Sequence, residues 1–447
     1  MNWKKRYHVR SYLRSSLWIV PVGAVFVEQV FATIVHALDA RLGWVGMGFG
    51  PDGAKAVCNA VITLALSFVV FTFGSLLVAI QVASGQYTPR IIATTLLRDN
   101  VIRYTVGLFV FTLLLALKAL NHIETNVPQL VTFVTGCLGF ICLAAFLFLI
   151  DYAARLLRPV SLVKRVGDQG LAVIKSIYPE RDANGPSNST PAKDPGPVTR
   201  TVLNRGNAGI ILAVDVPKLI TEAAKKNGVI EFAPQVGDFV GGDEPLFLLH
   251  GSASDVDDNV LRESVIFGSE RTMEQDPLFA FRILVDIAIK ALSAAINDPT
   301  TAVLAIDQLH RLLRSAGRHR LRIDERLKLH GVERLIIRTP VWGDFVNLAF
   351  VEIRFYGTSN VQIARRLRAM IINLANTLPA ERHAALRQEL DLLDRMIEKL
   401  YDFPEDLALA RIPDSQGLGA SSAATAPRWA VCAAILEPKP HPTDMGH

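Results

Sequence analysis

Cysteine is scarce in this chain. Four occur in 447 residues, Cys58, Cys137, Cys142 and Cys432, with no C-x-x-C pair among them. That excludes a disulfide framework and a cysteine zinc site, and leaves them as small apolar residues. The signatures of familiar catalysts are missing as well: no H-E-x-x-H helix, no G-x-S-x-G turn and no Walker loop, while the ten histidines are scattered. No catalytic residue, metal or cofactor is expected. Net charge is only +5, from 47 Lys and Arg against 42 Asp and Glu, which does not describe a nucleic-acid binder.

Two partial motifs fail on context. Residues 48–53 match G-x-G-x-x-G, but the run contains Pro51 and follows no strand, so it is a turn. Residues 255–259 hint at a calcium loop, but Val260 stands where the loop needs glycine and Ile266 where it needs glutamate.

What the chain does have is length without charge. Half of it is hydrophobic and mean hydropathy is +0.30, with the excess concentrated in the first 155 residues. Four runs suffice to cross a hydrocarbon core of about 20 residues. They lie at about Ser15–Leu38, Val57–Gly85, Tyr104–Ile123 and Val127–Ile150. The first is too long for a removable signal and lacks a cleavage site. Basic residues cluster before the first run (Lys4, Lys5, Arg6, Arg10, Arg14), between the second and third (Arg90, Arg98, Arg103) and after the fourth (Arg155, Arg158, Lys164, Arg165). Both termini and the 86–103 loop are therefore expected in the cytoplasm.

Beyond the spans the composition is that of a globular protein. Residues 179–198 are rich in Pro, Gly, Ser and Asn and read as a flexible loop. Strand and turn signals follow over 208–214, 229–232 and 236–249, the last being VGDFVGGDEPLFLL, which resembles the hairpins of lipoyl and biotinyl barrels without their lysine. Helices are expected over 277–295, 299–315, 361–378 and 381–400, and strands over 335–339 and 348–355. The expected fold is thus an α-helical membrane protein of four transmembrane helices plus a mixed α/β cytoplasmic region with a small β-barrel-like module. Its parts are a four-span domain (1–160), a connector helix and loop (161–198), a β-rich module (199–252), an α+β domain (253–412) and a disordered tail (413–447).

Three features are candidate sites. At 100° per residue Asn59, Thr63, Ser67, Gly74, Gln81 and Gly85 fall on one arc of the second run. Such a stripe has two readings, a packing seam between helices or the wall of a water-filled pathway. Glu28 lies inside the first run and Lys118 near one end of the third; ionisable residues in a membrane are functional candidates. Finally Arg311, Arg314, Arg318 and Arg320 form a basic strip that suits either anionic lipid or a solvated face.

The runs AIQVASGQYTPRI (79–91), GSERTMEQDPLFAFRILVDIAIKALSAAINDPTTA (268–302) and TPVWGDFVNLAFVEIRFYG (339–357) resemble the bacterial membrane proteins of the domain of unknown function 2254 family. The resemblance covers about residues 10 to 410, with Ala294 departing from an expected proline. It implies an inner-membrane protein with several spans and a cytoplasmic portion; it implies no activity and transfers no site residue. The leading expectation is a homo-oligomeric ion channel or small-solute pathway with a cytoplasmic regulatory domain. Its rival is a membrane-anchored sensor or scaffold that binds a cytoplasmic protein partner. The partners implied are membrane lipids and further copies of the chain.

Overall fold

The computed structural model describes residues 3–42, 48–86, 99–123, 127–156, 158–178, 194–206 and 208–420. The chain divides into two compact units: residues 7–162, and residues 163–447 together with 1–6.

The first unit is helical. α1 (Trp3–Ser15) precedes four long helices, α2 (Ile19–Leu42), α3 (Pro51–Gln86), α4 (Asn100–Asn121) and α5 (Gln129–Leu156). All four are long and apolar enough to cross a membrane. Local chemistry sets their ends. α3 starts earlier than its apolar run because Pro51 suits a first helical position and Asp52 the positive end of the helix. Asp99 caps α4 by accepting from the backbone N–H of Val101 at 2.9 Å, and the Tyr152 hydroxyl of α5 donates to its other oxygen at 2.6 Å. Glycine lets the helices close: a Cβ at Gly139 would lie 2.7 Å from Val61, and one at Gly107 2.9 Å from Val20. Phe68 of α3 stacks on Phe146 of α5 at 4.1 Å and meets Phe109 of α4 at 5.5 Å. Outward-facing Phe26, Leu77 and Phe140 are 70%, 68% and 77% exposed, surfaces that suit lipid tails.

The second unit takes in most of α6 (Pro159–Ile177) and then layers helices on sheets. Its strands are β1 (Val198–Leu203), β2 (Gly209–Val214), β3 (Val229–Phe232), β4 (Phe239–Val240), β5 (Pro245–His250), β6 (Val265–Gly268), β7 (Asp324–Leu329) and β8 (Val332–Arg338). They form a five-stranded sheet in the order β1-β5-β3-β8-β7 and a three-stranded sheet in the order β4-β2-β6. Two short helices, α7 (Val216–Lys225) and α8 (Asp258–Arg262), sit among the strands. The helical layer is α9 (Pro277–Ala291), α10 (Pro299–Arg318), α11 (Trp342–Gly357), α12 (Val361–Thr377), α13 (His383–Leu400) and α14 (Pro404–Ala410). Pro277 and Pro299 open helices where the sequence places their starts, and Asp276 and Asp298 cap them.

Three expectations change. Among the described residues no barrel closes over 199–252. Gly237 (φ 97°) and Asp243 (φ 62°) turn the hairpin as its sequence suggests. The free edge of β3, however, pairs in parallel with β8, Ile230 opposite Leu335, so the sheet extends instead of closing. Residues 348–355 are not a strand but the second half of α11. Their aromatic and β-branched composition favours a strand, but Phe345, Ala349, Phe350 and Ile353 recur at helical spacing and all are buried, and packing overrides propensity. The chain from 413 is not loose at its start. Asp414 is fully buried and accepts from Gly419 N, while Arg365 donates to the Ile412 and Gly419 carbonyls at 3.0 and 2.9 Å. The remainder of the expected tail, 421–447, lies outside the described residues.

Candidate functional site

α3 has two unlike faces. Ala54, Cys58, Val61, Ala65, Phe68, Thr72 and Leu76 are buried, recurring every three or four residues on the side that meets α4 and α5. Diametrically opposite run Asn59, Thr63, Ser67, Gly74 and Gln81, every one exposed. The stripe therefore packs against no other helix of its unit among the described residues. Thr63 and Ser67 satisfy their hydroxyls within the helix, donating to the Asn59 and Thr63 carbonyls at 2.9 and 2.7 Å. A Cβ at Gly74 would meet nothing within 4 Å. Gly85 continues the helix backbone, and its surroundings lie outside the described residues.

Neighbouring contacts fix how deep each residue sits. Val57 lies beside Gly136, Val61 beside Gly139 and Phe68 on Phe146, so α3 and α5 run side by side in one direction. Continuing that register puts Gln81 past the end of α5, beyond the level of the Asp99–Tyr152 pair. Asn59 sits about two turns inside the opposite end. The amides thus stand toward the two ends of the stripe, with Val70 and Gly74 between.

The intramembrane charges belong to another face of the bundle. Glu28 of α2 is 1% exposed, and its Oε1 has no hydrogen-bond partner. Lys118 of α4 reaches not Glu28 but the next residue, donating to Gln29 Oε1 at 3.0 Å. One helical turn on, the His122 ring lies 4.7 Å from that of His36, and its Nδ1 donates to the Lys118 carbonyl at 2.8 Å. His36 Nε2 is buried and unpartnered. Asp39 Oδ1 accepts from Leu130 N at 2.9 Å, where α5 begins. The sequence marks Glu28 and Lys118 but not this grouping. Its signal is periodic: His36 and Asp39 follow Glu28 by eight and eleven residues, and His122 follows Lys118 by four.

In the second unit the basic strip is solvated. Arg311, Arg314, Arg318 and Arg320 are exposed, and Arg311 is held by Asp168 at 2.6 Å. Two other groups there escape sequence reading. His310 lies between Asn373, whose Oδ1 accepts from Nε2 at 2.9 Å, and Arg366, which donates to Nδ1 at 3.3 Å. Burial, reinforced by the Arg366 charge, pushes its pKa down to about 4. Asp276, capping α9 with Arg271 at 3.4 Å, is pushed up to about 6 by burial. Among the described residues no cluster of His, Cys, Asp or Glu could hold a metal.

The pattern that defines the family described as "Predicted membrane protein (DUF2254)" matches residues 14–373, which takes in all four spans and most of the second unit. The chain belongs to this family. Uncharacterized proteins of Mycobacterium bovis and of two strains of Mycobacterium tuberculosis are similar to it, each 24% identical over 439 residues, covering 94% of this chain and 82% of theirs. No solved structure matches. As a DUF2254 member it is a membrane protein, and the two unlike polar regions of its helical unit are its candidate sites.

Proposed function

We propose that this protein is a homo-oligomeric ion channel or small-solute pathway of the bacterial inner membrane, its copies meeting around α3 and its second unit serving as a cytoplasmic regulator. The observation that carries this reading is the outward aim of the α3 stripe, away from the other described helices of its unit. The Asn59 amide sits inside the span, and an amide left without a partner in hydrocarbon costs several kcal/mol. Water in a pathway, or a second copy, removes that cost. Phe68, Phe109 and Phe146 pack together inside the bundle, and a pathway along the outward stripe needs several copies about an axis. Asn59 and Gln81 would then line the two mouths. Val70 and Gly74 would form the waist, where an apolar ring gates by dewetting.

Gly74→Leu tests this, because no described residue lies within 4 Å of where its Cβ would stand. In detergent the variant should melt like wild type while its oligomer, weighed by mass photometry, falls apart, and planar bilayers should lose conductance with it. Well-folded wild-type oligomers that stay silent under voltage and tension would remove the channel reading. The rival, a scaffold that binds a protein partner, draws on Phe355, Tyr356 and Phe403, which are 62%, 63% and 68% exposed. Tyr401 donates to the Thr358 carbonyl at 2.9 Å and so brings the ends of α11 and α13 together beneath them.

A further inference from the structure

Glu28 is the tenth residue of α2, about 13 Å from one end of that helix and about 21 Å from the other. A fully desolvated carboxylate there is very costly unless an ion pair or several hydrogen bonds hold it. The Lys118 ammonium bonds Gln29 and acts on Glu28 only through space, and Glu28 Oε1 has no partner. The neutral acid is the form such a place tolerates, so the side chain is suited to take up and give back a proton.

The groups around it make a file on one side. α2 and α4 run parallel, Val20 beside Gly107 and His36 beside His122. Lys118, one turn before His122, therefore comes level with Ala32, half-way from Glu28 to His36. The ionisable levels are then Glu28, Lys118, the His36–His122 pair and Asp39, spaced about 4.5–6 Å along the axis. His122 is exposed and opens the file to water at the end where α2 leads to α3. α5 contributes Cys142, bonded to Thr112 at 3.3 Å, and α3 contributes Cys58; both thiols are buried. Toward the opposite end α2 carries no ionisable side chain from Ile19 to Val27, and α4 none from Thr105 to Leu117.

We propose that Glu28 is a proton-binding site reached from one side of the membrane only, through Asp39, His122, His36 and Lys118. The site lies within one chain and does not depend on the pathway around α3, so it survives if that reading fails.

Infrared difference spectra of the full-length protein in liposomes, taken across steps of pH, read the carbonyl stretch of a protonated carboxylic acid. A band that grows on acidification, shifts in heavy water, is lost in Glu28→Gln and is displaced in Glu28→Asp is the expected result. His36→Gln and His122→Gln should keep the band but slow its growth after a pH jump by on the order of tenfold. Spectra of Glu28→Gln identical to wild type would overturn the site. Wild-type rates in both histidine variants would overturn the route. Melting separates a purely structural ion: a carboxylate held by Lys118 would leave that ammonium unpaired in Glu28→Gln and lower the transition. A protonated acid is replaced by its amide with the transition unchanged.

Discussion

His310 illustrates what one buried side chain does to pH dependence. The folded protein holds its pKa near 4, against an ordinary value of 6.5, because burial and Arg366 disfavour the imidazolium. On acidification the unfolded chain takes up the proton first, so stability is lost as pH falls from about 6.5 to 4 and is restored as it rises. The gap is worth about 3 kcal/mol. In His310→Gln that part of the acid sensitivity should disappear, leaving a flatter curve of unfolding free energy against pH between those limits. An unchanged slope would mean that the ring is not the titrating group. No sequence signal marks this histidine, since its neighbours come from α10 and α12, and only packing brings Asn373 and Arg366 to it. Glu28 is different. A lone acid in a long apolar run is conspicuous by itself, and what the sequence withholds is only which residues stand near it.

Among elements, the membrane helices were the most readable, because the thickness of a bilayer imposes a length that no soluble helix must meet. The stripe on α3 could be placed on one arc but not aimed, since periodicity relates residues to each other and not to the rest of the bundle. α11 shows the limit from the other side: a run rich in Phe, Val and Ile is ambiguous until its partners are known. The small residues of α5 make a sharp contrast with Gly74. A side chain at Gly139 must enter the space of Val61. Gly139→Leu should therefore force α3 and α5 apart and lower bundle stability by about 1–3 kcal/mol, read as a fall in the melting temperature of detergent-solubilised protein. Gly74→Leu should not move that temperature at all.

At the scale of the whole molecule, the end of the four-span part at about 160 is legible in the sequence, within two residues of the observed division, but the allegiance of the connector helix that follows is not. A break at 198 looks natural because the loop before it is polar and full of proline. Yet Val166 and Ile174 of α6 are fully buried, and Tyr178 donates to the Pro340 carbonyl at 3.1 Å, so the helix ahead of that loop is part of the second unit. At about 1.5–3 kcal/mol for each large apolar side chain, losing α6 removes an amount comparable to a domain's net stability. A fragment spanning 159–420 should be soluble and melt cooperatively by circular dichroism, whereas 199–420 should not. Cooperative melting of the shorter piece would show that α6 is dispensable.

The one-sided file beside Glu28 has an electrical consequence. A proton that reaches the middle of the bundle from one end crosses only part of the membrane field, and it cannot leave by the other. Its occupancy then depends on voltage as well as on pH, by about 1 kcal/mol for each 100 mV if half the field is crossed, a roughly fivefold change. The carboxyl would report the pH of the side it opens to together with a share of the membrane voltage, from a single side chain.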